Sequence, residues 1–241
     1  MNQVEIPQPP VATDEILRIR QRLQEVGYAL SSDMALGMSP QQHKSFDNKF
    51  FTDQLLGPEL TALSSLLPHR MRARDVIVYQ RLEDDLALEE SPFITLREIP
   101  HANIPAREYR RIFTLQDAEM IHWIKTLLSM VPVNEQQATG KLSMDFLRTF
   151  QQATAFRHQD HEQFVIIYVV ARNTNGAVTS IHPIADPDQT EIAVALQPGE
   201  YFIFRDRDFM HDVTPLEPRY EGDKQYRDAI VALVRYPESE S

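Results

Sequence analysis

With 241 residues, 42% of them hydrophobic and 24% charged, the chain is long enough to bury a real core and too apolar to stay disordered. A net charge of −11 repels phosphate backbones and anionic lipid, which argues against nucleic acid or a membrane as partner. The absence of cysteine excludes disulfides, thiolate metal sites and cysteine nucleophiles, fits a reducing cytoplasm as the location, and leaves His, Asp and Glu to hold any metal. The opening "MNQVEIPQPPVATDE" carries three prolines before residue 12, and residues 1–12 read as a flexible tail. It has neither a basic start nor an apolar run, so no signal peptide is expected. Thr13 is placed to N-cap a helix whose stripe of Ile16, Ile19, Leu23 and Val26 ends at Gly27. Ser39-Pro40 opens a second helix, with Gln42 three residues after the cap. Gly57-Pro58 precedes a helical piece over 59–67, "DVIVYQ" (75–80) reads as a strand, and 116–130 forms an amphipathic helix with Met120, Ile124 and Leu127 on one face. Trp123 on that helix is expected in the core, and His122 on its surface.

From about residue 142 the pattern changes to short β runs: 142–150, 163–171, 177–184, 190–196, 200–205, 209–216 and 226–235. Asn173 to Gly176 and Pro198-Gly199 are the turns between them. Helices followed by closely spaced strands predict one α+β domain over 13–241, with helical support at about 13–131 and a sandwich or barrel at about 142–236. No phosphate-binding glycine loop, G-x-S-x-G elbow or H-E-x-x-H helix is present.

The stretch "RHQDHEQF" (157–164) sets two histidines and two carboxylates just before the apolar "VIIYVV". In a strand, His158 and Asp160 would share one face and Gln159 and His161 the other. Such a pair is either a surface patch or part of a metal site; His161 and Glu162 are expected at the surface. His211 follows 53 residues after His158, and Arg227 lies 16 residues further on, at the start of the last strand. His-x-Asp, a distant His and a strand-borne Arg form the pattern of a 2-His-1-carboxylate facial triad, which leaves positions open on Fe(II) for oxygen activation. A cosubstrate that chelates iron through a 2-oxo acid must anchor its far carboxylate, a task suited to a guanidinium fork. Arg235 is eight residues from Arg227 and would share its face, so spacing alone leaves both open. His182 is a further histidine that could face a cavity.

The segment 158–235 resembles the bacterial Fe(II)/2-oxoglutarate dioxygenase family that includes L-isoleucine dioxygenase and related hydroxylases of free aliphatic amino acids. The resemblance rests on "HQD" (158–160), "FVIIYVVARN" (164–173), "GAVTSI" (176–181), "MHDVTPL" (210–216) and "YRDAIVALV" (226–234), with "YRRIFTL" (109–115) upstream. It implies a double-stranded β-helix, a cupin-like jelly roll, supported by N-terminal helices. It further implies that His158, Asp160 and His211 ligate Fe(II) and that Arg227 holds the 5-carboxylate of 2-oxoglutarate. With O2, the reaction implied is hydroxylation of a small free amino acid, aliphatic or methionine (as a sulfoxide), with succinate and CO2 as co-products. Asp160 speaks against halogenation, which needs that ligand position vacant. This chain departs from its relatives at His161 and Ala177, where they carry Gly, and at "TAFR" (154–157).

For the substrate carboxylate the first candidate is Arg148, with Arg111 and Arg157 more readily explained as surface residues. Gln159 and His161 are candidates to line the entrance. The alternatives are the same chemistry on a larger metabolite or a protein side chain, or a jelly-roll module that binds without turnover. The oligomeric state is left open, a homodimer included.

Overall fold

The computed structural model describes residues 13–58, 70–83, 85–92, 110–150, 155–219 and 225–237. The tail at 1–12 and the helical piece expected at 59–67 lie outside these residues. The helices are α1 (Asp14–Val26), α2 (Pro40–Phe50) and α3 (Ala118–Ser129). Their ends are those the capping chemistry specifies. The Thr13 hydroxyl accepts from the Ile16 amide, and Gly27 closes α1 at φ 82°, its N–H returning to the Leu23 carbonyl. Ser39 and Gln42 form a reciprocal capping box on α2. Asp117 caps α3, so the helix starts two residues later than 116, after a 3-10 turn at Thr114–Gln116.

Among the described residues there are fifteen strands in chain order: β1 (Tyr28–Ser32), β2 (Gly57–Pro58), β3 (Arg70–Arg81), β4 (Leu86–Glu90), β5 (Arg110–Arg111), β6 (Thr139–Phe150), β7 (Ala155–His158) and β8 (Phe164–Arg172), then β9 (Asn175–Gly176), β10 (Thr179–Pro183), β11 (Ile192–Val194), β12 (Glu200–Arg205), β13 (Phe209–Val213), β14 (Leu216–Glu217) and β15 (Tyr226–Arg235). The larger sheet runs β1-β12-β8-β15-β6-β3-β2, with β4 and β5 also on β3; the smaller runs β11-β10-β13-β7. The chain alternates between them, from β6 to β7, β8 to β10 and β11, β12 to β13, and back to β15. Two sheets, antiparallel but for the short β5 beside β3, wound in this alternation are a double-stranded β-helix, as the family resemblance implies.

The apolar run at 164–170 shows how the layers are held. Phe164, Ile166, Tyr168 and Val170 belong to the core under the helices, packed with Ile19, Phe46, Trp123 and Leu127. Val165, Ile167 and Val169 belong instead to the core between the sheets, with Ile181, Phe202, Phe204, Phe209 and Leu233. A strand buried on both faces cannot alternate apolar with polar, which is why this one reads as continuous hydrophobic sequence. The same parity assigns faces on the neighbouring strands. Leu142, Met144 and Phe146 of β6 and Ile230, Ala232 and Val234 of β15 face the helices, so the odd-numbered residues between them face the space between the sheets.

The structure departs from the sequence expectations in extent more than in kind. The strand expected at 75–80 runs from Arg70 to Arg81, and the run at 209–216 divides into β13 and β14. β1, β2, β4, β5 and β7 lie outside the expected runs, and β9 occupies part of the stretch read as a turn at 173–176, where it pairs with β14. Among the described residues, no helix is long and apolar enough to cross a membrane.

Candidate metal centre

His158 is the last residue of β7 and stands opposite His211 of β13 in register. Asp160 follows two residues after the strand has ended. The alternation expected for His158 and Asp160 therefore does not bring them together; a turn does. Asp206, 1% exposed, holds that turn by accepting from the amides of Asp160 (3.2 Å) and Glu162 (3.0 Å). The Gln159 side-chain amide donates to the Asp206 carbonyl at 2.7 Å, and His161 adopts a left-handed φ of 58°.

One ligand atom from each of His158, Asp160 and His211 falls within 4.8 Å of the others. The Asp160 oxygens lie 3.8 Å from Nε2 of His158 and 3.5 Å from Nε2 of His211. Nδ1 of His158 is 2.6 Å from the Phe156 carbonyl, so that nitrogen carries the proton and Nε2 is left as the donor toward the centre. His211 Nδ1 is buried without a hydrogen-bond partner among the described residues; Asp206 Oδ1 stands 3.9 Å away. Burial, helped by the neighbouring His158, pushes His211 down to about 4, so its imidazole is neutral at pH 7. Burial also raises Asp160, with His158 opposing. Two imidazoles and one desolvated carboxylate are a donor set that a borderline divalent ion such as Fe(II) satisfies.

Arg227 occupies the inner face of β15, on the same parity as Val231 and Leu233. It is 7% exposed, and its Nε and Nη2 have no partner among the described residues. Burial first, then the positive charges of Arg172 and Arg70, lower it to about 10. Register places these three arginines in one transverse row: Arg70 beside Thr149, Thr149 beside Arg227, and Arg227 beside Arg172. Arg172 spends its donors on the carbonyls of Thr174, Leu196 and Gly176. A buried guanidinium with unmet donors in such a row fits the far carboxylate of a dianionic cosubstrate. Arg235, which spacing left as an alternative, is committed elsewhere: its Nε donates to Glu162 at 2.7 Å. Glu162, expected at the surface, is 8% exposed because of this pair.

The other candidates scatter. Arg148 lies on the helix side of β6, where its fork binds Asp228 at 2.8 and 2.7 Å and the Phe51 carbonyl at 2.8 Å. It is therefore on the opposite face of the sheet from the His158–Asp160–His211 cluster, and the expectation that it meets a substrate beside that cluster is corrected. Arg111 lies 3.5 Å from Asp75, and Arg157 bonds Asp212 and the Pro187 carbonyl. His182 points away from the centre, toward Asp212 (3.1 Å) and the Gln189 carbonyl (3.0 Å). Trp123 is buried as expected, donating to the Tyr201 hydroxyl at 2.9 Å. Gln159 and His161 flank the centre, His161 exposed. Two groups escaped sequence reasoning: Asp206, and the inner-face row Arg70, Arg72 and Arg74, although "RMRAR" (70–74) carries the period of two that a strand would turn into one charged face.

A jelly roll that gathers two histidines and a carboxylate from β7, its following turn and β13 is the architecture of the non-haem iron oxygenases. The chain matches the family model described as 2OG-Fe dioxygenase over residues 59–233, and it belongs to that family. It is an Fe(II)/2-oxoglutarate oxygenase, and Fe(II), 2-oxoglutarate and O2 are what the family uses. Among solved structures it is similar to a bsmA homolog from Methylobium petroleophilum PM1 (19% identity, TM-score 0.76, covering 100% of this chain and 98% of that one). It is also similar to IDO from Bacillus thuringiensis (14% identity, TM-score 0.68, 95% and 98%) and to the Fe(II)/(alpha)ketoglutarate-dependent dioxygenase TqaL (14%, 0.66, 94% and 88%). At these identities the likeness is one of fold. No curated protein matches the chain.

Proposed function

We propose that the chain oxidises a small free L-amino acid, with an aliphatic or methionine side chain, using Fe(II) held by His158, Asp160 and His211. Arg227 binds the 5-carboxylate of 2-oxoglutarate. The observation that carries this reading is the buried Arg227, with Nε and Nη2 unpartnered among the described residues, on the inner face of the same barrel as the three-residue cluster. When bound, iron, 2-oxoglutarate and O2 supply an oxidant that places one oxygen atom on the substrate and leaves succinate and CO2.

The protein's own part is to position and to exclude. Arg227 fixes the cosubstrate by its far end, so that the 2-oxo acid end is held toward the metal ligands. The Phe156 carbonyl orients His158, and Asp206 holds the turn that presents Asp160. Phe204, 5.2 Å from the His211 ring, and the apolar core behind it keep water from the buried side of the centre. The amino-acid substrate is supported by the sequence likeness at 158–235. The test is succinate formation by anaerobically Fe(II)-loaded protein, given 2-oxoglutarate, O2 and each of the twenty free amino acids. Succinate with a product 16 mass units heavier for one or two aliphatic residues or methionine, absent in His158→Ala, is the expected result (16 being about one oxygen atom). Succinate without a coupled product would move the substrate to a larger molecule. Its complete absence from metal-loaded protein would favour a binding module.

A further inference from the structure

Beyond the row of Arg227 and Arg172, the inner wall of the larger sheet is apolar where β8 and β15 form it, with Ile167, Val169, Val231 and Leu233. It changes character at β6 and β3. Ala73, Ile77 and Tyr79 of β3 pack under the helices, so Arg70, Arg72 and Arg74 turn inward. Asp145 is the inward residue of β6 beside Arg74. The Arg72 fork grips Asp145 at 3.1 and 2.7 Å, and Nε of Arg74 stands 3.2 Å from the same carboxylate. Arg74 is 1% exposed and Asp145 2%. A buried cluster of ions is a poor way to stabilise a wall that apolar side chains could line.

We infer that Arg72, Asp145 and Arg74 form the subsite for the charged end of a zwitterionic substrate, the guanidiniums receiving its α-carboxylate and Asp145 its α-ammonium. The inference rests on the amino-acid oxygenase reading and deepens it. The trio matches an α-amino acid in sign, with two cations for the carboxylate beside one anion for the ammonium. It is also separate from the cosubstrate anchor. Arg72 and Arg74 lie two and four residues along β3 from the row of Arg70 and Arg227, about 7 and 13 Å at strand rise. The two carboxylate-bearing molecules thus have one cationic site each. A substrate held by its α-carbon end offers its side chain to the metal, so oxidation falls on the side chain.

The test is calorimetry under nitrogen on protein loaded with Mn(II) and 2-oxoglutarate, titrated with each of the twenty L-amino acids. The best binder is then compared with its carboxamide and its N-acetyl derivative. Both derivatives are expected to bind at least tenfold more weakly. Arg72→Gln and Asp145→Asn are each expected to weaken the amino acid tenfold or more while 2-oxoglutarate binds within twofold of wild type. Arg72→Lys, which keeps the charge without the fork, should fall between. Where a variant fails to fold, the comparison of acid, carboxamide and N-acetyl derivative on wild-type protein decides alone. The subsite is overturned if the derivatives bind within twofold of the acid, if folded Arg72→Gln binds normally, or if 2-oxoglutarate binds and no amino acid does. Failure of wild-type protein to bind 2-oxoglutarate at all would instead overturn the oxygenase reading beneath it.

Discussion

Arg227 keeps a cation 7% exposed with two of its donor nitrogens unpartnered among the described residues, and its lowering to about 10 records the strain of that burial. Two opposite effects of Arg227→Ala follow. Truncating one side of a buried charge pair costs about 2–5 kcal/mol, so the Kd for 2-oxoglutarate on Mn(II)-loaded protein should rise about 30-fold or more by calorimetry. The ligand-free variant should meanwhile melt no lower than wild type, because an unsatisfied charge has left the interior. A Kd change below about threefold would reassign the anchor, since even about 1.4 kcal/mol is a factor of ten. His161 is a second strained residue, at φ 58° and exposed. His161→Gly should raise stability by about 1 kcal/mol in chemical denaturation, since a side chain in that region costs about 1–2 kcal/mol. No gain would mean that the imidazole repays its strain through contacts at the entrance. At this scale His158, Asp160, His211 and Arg227 stood out in the sequence by the spacing of a facial triad followed by a strand-borne Arg, and the structure brings the first three together. The sequence read poorly where only parity decides. Arg148 and Arg72 are both strand arginines, and only the face of each, set by the helix-side core, tells that one binds Asp228 and the other Asp145. Asp206 gave no signal, because its partners are backbone amides 44 and 46 residues away.

At the scale of elements, α2 is tied to the sheet by a polar network inside an otherwise apolar core. Asp33 accepts from the hydroxyls of Tyr168 (2.8 Å) and Tyr201 (2.7 Å), and Nδ1 of His43 lies 2.8 Å from the same carboxylate. The hydrogen bond to Asp33 raises His43, with burial opposing and the Asp33 charge assisting. A histidine that holds its proton more tightly folded than unfolded contributes all its stability below its ordinary value of 6.5. That contribution is lost as pH rises through the elevated folded value. Thermal unfolding should therefore show a midpoint that falls as pH rises above about 6.5, a fall that is flattened in His43→Gln. An unchanged slope in the variant would remove His43 as the source. Both ends of α1 and the start of α2 were legible because caps are local: Thr13, Gly27, Ser39 and Gln42 act within four residues. β1 and β4 were not, since each is five residues long with a mostly half-exposed surface, and their pairing partners, β12 and β3, are what make them strands.

Across the whole molecule the larger sheet separates two sets of polar groups. The His43–Asp33 network lies on its helix side, with Tyr168 and Tyr201, whereas the His158–Asp160–His211 cluster and Arg227 lie on the side facing the smaller sheet. Sites separated by a packed sheet and sharing no partner should be nearly additive, within about 0.5 kcal/mol. Metal binding gives the means to test this. An ion that binds only the folded chain stabilises it by about 2.7 kcal/mol at a hundredfold excess over its Kd. Mn(II) should accordingly raise the unfolding midpoint of wild-type protein, and a chelator should reverse the rise. His158→Ala should lose most of this shift, because it removes one of three ligands and uncouples β7 from β13 at the centre. His43→Gln should keep the full shift, although it is less stable to begin with. Equal loss of the shift in both variants would show that the two faces respond as one cooperative unit. The sheet would then transmit the state of the centre to α2, and the helices would be part of the binding machinery instead of its support.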